Sequence, residues 1–440
     1  MSGLHLSKSK NVHFFGIGGI GVSGLARAFA AQGKIVSGQD LVASPVTDAL
    51  IGEGIKVSIG QSVNAIPKQA DLVVYSSALL ERNPVFSKKL KELTVPTLSY
   101  SDALGLFSEG KYTVAVAGTH GKTTTTAMIA HILSHAGLKP TVIVGSLFKN
   151  SQSNFLAGES EYFVVEADDY RRQFLSLEPK ILVITNIGKD HLDYYKDLAD
   201  IQSAFAKLAA KVPKTGYIVA NLSDPIVRAA ISGARARVVD YRGFMKKKIE
   251  LPVPGAHNQE NAACALTAAH VLGVSSKKAL KALAGFLGTW RRFDFRGKTK
   301  RGALVYDDYA HNPDKVRAAI AGFREAHPKH RLVVVFQPHL YSRTKTLLPE
   351  FSESFDDADE VIVVPIFAAR ELPDKKISSK ILAERIQKHI KDSKLRAPLV
   401  SYSPDVKRLA QNLRKRISKG DVVVTMGAGD IYRIVDTLLS

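Results

Sequence analysis

Residues 113–126 read TVAVAGTHGKTTTT, and the reading of this stretch decides the fold. The β-branched run at 113–116 has the composition of a buried strand. It breaks at Gly118-Thr119-His120-Gly121, and a helix-compatible segment follows from Lys122 to about His135. A strand, a glycine-containing turn and a helix N-terminus form an anion cradle, because unpaired backbone N–H groups point outward there and the helix dipole adds positive potential. Lys122 would reach the phosphates and the Thr123 hydroxyl would ligate magnesium. The strict eight-residue phosphate-loop pattern is not met, since Val116 occupies the position five before Gly121. The strand before and the threonine-rich helix after still favour phosphate binding over a structural turn.

Composition bounds what surrounds this loop. A chain of 440 residues is too long for one ordinary core, so two to four domains are expected. No apolar run approaches the roughly 20 residues needed to cross a bilayer. The N-terminal MSGLHLSKSKNVHFF lacks a long apolar segment before its first strand, so no signal peptide is expected. The one cysteine, Cys264, cannot form an internal disulfide, which fits a cytoplasmic protein. The net charge of +20 invites a nucleic-acid reading. The basic residues are dispersed, however, and neither an aromatic-interleaved RNA motif nor zinc spacing accompanies them. A general surface habit with anionic small substrates explains the charge better, and no nucleic-acid partner is expected.

Upstream, 11–15 reads as a strand running into Gly16-Ile17-Gly18-Gly19-Ile20-Gly21, a G-x-G-x-x-G followed by a helix-compatible run over 22–32. A second strand at 34–37 ends near Asp40, about twenty residues on, where a carboxylate can bond a ribose hydroxyl. The spacing is that of a dinucleotide fingerprint and leaves open which nucleotide diphosphate is held. Ser76 and Ser77 follow a strand at 71–75, at the strand end where open α/β sheets bind ligands.

Downstream, strands at 141–144, 162–165 and 181–185 are expected. The second ends at Glu166-Ala167-Asp168-Asp169, and carboxylates leaving a strand beside a phosphate loop suit magnesium. The third opens onto 186–193, NIGKDHLD, which contains His191. Asn258 and Asn261 lie in PGAHNQENA at a helix start, where amides can face a base edge or cap the helix. Arg291 and Arg292 supply adjacent guanidinium groups suited to phosphate oxygens. Gly297 and the basic run to Arg301 read as a linker. Beyond it, strands at 303–306, 332–336, 360–364, 398–401 and 421–425 alternate with helices, which is a doubly wound α/β pattern. Its first two strands end in Asp307-Asp308-Tyr309-Ala310-His311-Asn312-Pro313 and Phe336-Gln337-Pro338-His339-Leu340-Tyr341-Ser342-Arg343-Thr344.

GTHGKTTT resembles the ATP loop of the Mur ligases. GIGGIGVSGLA, VVYSSA, EAD, NIGKDHLD, PGAHNQENA, TWRRFD, DDYAHNP, FQPHLYSRT and the closing GAGD follow in that family's order, from about residue 11 to 432. The resemblance implies three α/β domains: a Rossmann-like N-terminal domain over 1–107, a central P-loop ATPase-like domain over 108–297, and a Rossmann-like C-terminal domain over 298–440. It implies the branch that joins L-alanine to UDP-N-acetylmuramate, with ATP and Mg2+ as cofactors, in a monomer or homodimer without membrane insertion. Gly16, Gly18, Gly19, Ile20, Gly21, Asp40, Ser76 and Ser77 would then hold the UDP-sugar. Gly118, Thr119, His120, Gly121, Lys122, Thr123, Thr124, Asn258, Asn261, Arg292 and Asp308 would hold ATP, and Thr123, Glu166 and His191 the metal. Lys122, Glu166, His191, Arg291 and Arg292 would be catalytic, and Tyr309, His339 and Arg343 would receive the amino acid.

The chain departs from the family pattern at four places. Gln61 replaces a histidine at a uracil contact, and Asp169 replaces the commoner glutamate. Leu340 stands where a version of the family has arginine. Ala206 and Lys207 occupy the region of a carbamoylated lysine that the alanine-adding branch generally lacks. The rival readings are a sister ligase, such as the one that reattaches recycled muropeptides, and an NAD-dependent oxidoreductase built on the first glycine loop.

Overall fold

The structure, a computed structural model, describes residues 6–149, 151–192, 194–369, 371–393 and 398–440. It divides into two compact units, one running to Glu250 and including Glu260–Phe286, the other comprising Leu251–Gln259 and Leu287–Ser440.

The first unit holds two sheets. β1 (Asn11–Phe15), β2 (Ile35–Asp40), β3 (Lys56–Ile59), β4 (Leu72–Tyr75) and β5 (Thr97–Ser99) form a parallel sheet in the order β3-β2-β1-β4-β5. The order reverses between β1 and β4, so the 16–21 loop and Ser76 open on the same crevice. The second sheet takes β6 (Tyr112–Ala117), β7 (Thr141–Ile143), β8 (Phe155–Leu156), β9 (Tyr162–Glu166), β10 (Ile181–Ile184), β11 (Tyr217–Ala220) and β12 (Arg237–Asp240). Its order is β12-β11-β10-β6-β9-β7-β8, parallel except for β8. The continuous apolar runs of β6, β9 and β10 are those of strands covered on both faces.

Phe107, on helix Tyr100–Ser108, joins the cores of these two sheets. Its ring lies 6.0 Å from Phe29, on the helix Ile20–Ala31 that follows β1, and 5.2 Å from Phe163 in β9. A second tie is polar. The buried Arg27 pairs with Glu53 and donates to Asn154 Oδ1 at 2.6 Å, while the Asn154 amide donates to Ser23 Oγ at 3.0 Å and to the Ile20 carbonyl.

The second unit is a single sheet of β13 (Asp294–Lys298), β14 (Leu304–Asp308), β15 (Arg331–Phe336), β16 (Glu360–Val363), β17 (Leu399–Tyr402) and β18 (Asp421–Met426). The order is β13-β14-β18-β15-β16-β17, parallel except for β13. The linker expected around Gly297 is therefore corrected: these residues form an antiparallel hairpin with β14, with the register shifting between Phe295 and Gly297. The β14 edge supplies the hydrogen bonds that make a strand of this apolar-poor stretch. Among the described residues no helix is long and apolar enough to cross a membrane.

Truncating a buried aromatic costs about 3–5 kcal/mol. Phe107→Ala should therefore lower the urea midpoint of the whole first unit, and an unchanged midpoint would show that the two cores are not joined through this ring.

Candidate active site

Parallel register sets the phosphate loop. Val116 pairs with Glu166 and Ala117 with Ile184, so the ends of β6, β9 and β10 lie side by side. Gly118 (φ +142) cannot carry a side chain, since a Cβ there would stand 2.0 Å from Thr185 Oγ1. The amides of Thr119 and His120 donate to the Asn186 carbonyl and Oδ1, at 3.1 and 2.9 Å. Thr119 also exchanges hydrogen bonds with Gly188. The backbone amides of Thr119 and His120, which are expected to line phosphates, anchor the loop to the end of β10.

The ligand-facing half begins at Gly121 (φ +81), the N-cap of helix Lys122–His135, which has no side-chain cap bond. The N–H groups of Lys122, Thr123 and Thr124 lie in the first turn, where no intrahelical acceptor exists. Asn261, expected at an adenine edge, lies against this turn: its Oδ1 accepts from Thr125 Oγ1 at 3.2 Å and leaves no room for a Cβ on Gly121. Asn258 donates to the Pro254 carbonyl at 2.6 Å, which fixes the start of its own helix.

The acidic groups come to the same edge. Thr123 Oγ1 donates to Glu166 Oε1 at 2.9 Å, and Gly145 N to Glu166 Oε2 at 2.7 Å. Lys122 Nζ bonds Asp169 Oδ1 at 2.6 Å and the Gly118 carbonyl at 2.5 Å. Burial alone would lower the Lys122 pKa, but Asp169, with Asp168 and Glu166, outweighs it and holds the ammonium above its ordinary value. Asp169 is shorter than the family's glutamate yet still reaches the lysine. The ligand atoms of Asp168, Asp169 and His191 lie within 4.8 Å of one another. The His191 ring lies tilted against Tyr170, with centroids 4.8 Å apart, and Asp193 lies outside the described residues. Arg171, Arg172 and His191 all have positive φ, so the backbone around this cluster is strained, a feature that concentrates at functional sites.

The first glycine loop has the same build. Gly19 caps helix Ile20–Ala31 without a side-chain bond, and a Cβ on Gly16 would touch Ser76 at 3.0 Å. Asp40 is partly committed: its Oδ2 accepts from Gly18 N at 2.8 Å and its Oδ1 from Val42 N at 3.3 Å. Its remaining lone pairs are what a ribose could use. The buried Gln61 Nε2 has no partner among the described residues. Ser77 precedes the short helix Ala78–Arg82.

In the second unit the two strand-end loops meet. Arg343 Nη1 lies 3.0 Å from His339 Nδ1, and the His311 ring lies 5.1 Å from Tyr309 and 6.0 Å from His339. Burial, then Lys315 and Arg343, lower the His311 pKa well below its ordinary value, so its ring is neutral. The sequence alone gives His311 no role; a histidine three residues past a paired-aspartate strand end is the available signal. Arg292 lies over the Tyr309 ring at 5.1 Å. Arg291 requires correction as a charge-stabilising residue. It is buried, with Nε on Asp307 Oδ2 at 2.6 Å and its other nitrogens on the Gly427 and Gly429 carbonyls, so the guanidinium is consumed by the fold. Asp308 accepts from Phe293 N and Ala310 N, both at 2.8 Å. Leu340, at φ +68, is buried, so the loop presents no charge there, and Arg370 lies outside the described residues.

Two uncapped glycine-led helices on parallel sheets, with carboxylates at the neighbouring strand end, define an α/β protein built to bind nucleotide phosphates. The comparisons narrow the class. Residues 11–112 match the model "Mur ligase family, catalytic domain", 116–247 the "Mur ligase middle domain", and 291–429 the "Mur ligase, glutamate ligase domain". The chain belongs to the Mur ligase family. It is 38% identical to a UDP-N-acetylmuramate–L-alanine ligase of Acetivibrio thermocellus, over 100% of this chain and 97% of that one. The structure of a UDP-N-acetylmuramate–alanine ligase from Thermotoga maritima superposes with a TM-score of 0.79 at 27% identity, over 97% of this chain and 98% of that one. A murein peptide ligase from Psychrobacter arcticus shares the fold, with a TM-score of 0.70 at 24% identity over 98% of each chain.

The Lys122–Asp169 pair gives a direct test of the loop. Removing one partner of a buried ion pair costs about 3–5 kcal/mol. Asp169→Ala should destabilise the ligand-free protein by that order, and by less in saturating ADP, whose phosphates replace the lost carboxylate. Equal losses in urea unfolding with and without ADP would mean that no phosphate reaches Lys122.

Proposed function

We propose that this chain joins L-alanine to the lactyl carboxylate of UDP-N-acetylmuramate, consuming ATP and releasing ADP and phosphate. The observation that carries the reading is the pair of uncapped, glycine-led helix N-termini within one compact unit, in a chain 38% identical along its whole length to a relative named for this reaction. An oxidoreductase has no use for the second loop or for Glu166 on Thr123. The murein peptide ligase likeness bears on fold alone.

In this reading the 16–21 loop, Asp40, Ser76 and Ser77 hold the UDP-sugar. The turn at 121–124 holds the ATP phosphates. The three sheets serve as three domains, with β13 counted in the third. A single buried cysteine and an ATP-consuming reaction suit the cytoplasm. Hard oxygen donors at Thr123, Glu166 and Asp168, with His191 alongside, fit magnesium. When bound, the ion would neutralise charge on the β- and γ-phosphates.

The chemistry proceeds by attack of the lactyl carboxylate on the γ-phosphorus, with ADP leaving. The alanine amine then attacks the acyl phosphate carbon, and phosphate departs from the tetrahedral intermediate. Its neighbouring carboxylates raise the Lys122 pKa, so it serves as a positive charge beside the transferring group rather than as a base. In the second unit Arg343 offers the alanine carboxylate a planar fork of donors, which lysine cannot reproduce.

Phosphate release should require both UDP-N-acetylmuramate and L-alanine, and release supported by a tripeptide in place of alanine would favour the sister ligase. His191→Ala should lower turnover at least about tenfold, with partial recovery at high magnesium; unchanged turnover across the titration would make His191 structural. Arg343→Lys should raise the KM for alanine strongly and that for ATP much less. One methyl group is worth only about 1–3 kcal/mol in a pocket, so glycine should be a poor but measurable substrate, and a preference for leucine would displace the amino-acid site.

A further inference from the structure

Tyr100 opens helix Tyr100–Ser108, directly after Ser99 at the end of β5. A Cβ built on Gly21 would stand 2.8 Å from Tyr100 Oη, so the phenol closes over the first helical turn after the 16–21 loop. At the other end of the same helix, Phe107 packs edge to face on Phe163 of β9. From Phe107 back to Tyr100 is seven residues of helix, roughly 10 Å. From Phe163 forward to Glu166 is three residues of strand, again roughly 10 Å. The helix therefore carries the phenol toward the C-terminal end of β9, where Asp168 and Glu166 act on it electrostatically. Gly105 fixes this placement, because a Cβ there would overlap the Ser176 carbonyl at 2.4 Å and the helix lies tight against the Tyr170–Ser176 turn that follows Asp169. Burial, with the charges of Asp168 and Glu166, raises the Tyr100 pKa, so the hydroxyl remains a donor. Tyr100 Oη has no hydrogen-bond partner among the described residues.

We infer that Tyr100 positions the sugar nucleotide, donating a hydrogen bond from Oη to its reacting carboxylate where that group meets the terminal phosphate. The inference rests on the ligase reading above. The hydroxyl lies between the loop assigned to the sugar nucleotide and the strand end assigned to the phosphates, which is where the two substrates must touch. An incoming carboxylate meets the terminal phosphate there, which is of its own sign, and needs donors to be held against it. A neutral phenol supplies one without adding charge. It can keep the bond as the carboxylate becomes the acyl phosphate, since a carbonyl oxygen also accepts.

Tyr100→Phe removes Oη and keeps the ring. Wild-type enzyme that releases no phosphate with UDP-N-acetylmuramate, ATP and L-alanine would sink the ligase reading itself. With active wild type, Tyr100→Phe should lower kcat/KM for UDP-N-acetylmuramate at least about tenfold. The KM values for ATP and alanine should stay within about twofold, and calorimetric affinity for UDP, which lacks the carboxylate, should be unchanged. Unaltered kcat/KM would overturn the assignment while leaving the ligase reading intact. Equal losses of UDP and UDP-N-acetylmuramate affinity would make Tyr100 a nucleotide contact. A fall in melting temperature with parallel damage to all three substrates, or failure to fold, would make it a packing residue; each of these outcomes also overturns the proposal.

Discussion

The candidate site depends on the parallel pairing of β6 with β9 on one side and β10 on the other. Parallel strands end on the same edge, and this register brings Gly118, Glu166 and the Thr185-Asn186 pair out within about three residues of each other. The division of labour inside GTHGKT follows. Thr185 fills the space under Gly118, and Asn186 takes the amides of Thr119 and His120. The first half of the motif is spent on anchoring. The second half, from Gly121, keeps its amides at the open end of a helix, where anions are stabilised.

The same economy sorts the charged residues of the second unit. Arg291 sits in the left-handed region and is closed in by Asp307 and two carbonyls, so its role is to hold β14 against the turn after β18. Arg292, its neighbour, faces the Tyr309 ring, and Arg343 bonds only a neutral ring nitrogen among the described residues. Two adjacent arginines of identical chemistry thus have opposite fates, decided by which one the chain buries.

That distinction marks the limit of what the sequence made legible. Strands with apolar runs ending in glycine or polar loops, such as 11–15, 113–116 and 332–336, were readable because parallel sheets bury both faces. Edge strands were not: β3 and β12 are largely exposed and short, and β13 is stabilised by its partner rather than by its own composition. Loop positions were readable from spacing, whereas the partners inside them were not. Lys122 on Asp169, Asn261 under Gly121 and Tyr100 over Gly21 are contacts between residues 40 to 140 positions apart in rough terms, and no local pattern encodes them.

The charge balance around Lys122 carries a final consequence. One ammonium faces Asp169, Asp168 and Glu166, so the protein alone is already short of positive charge where a polyphosphate is to bind. Adding a triphosphate and a substrate carboxylate would put several like charges within a few ångströms, at a cost of about 4 kcal/mol per close pair near a protein surface. A neutral donor such as Tyr100 relieves none of that. The Lys122–Asp169 bond is the arrangement that keeps the buried ammonium satisfied in the ligand-free protein.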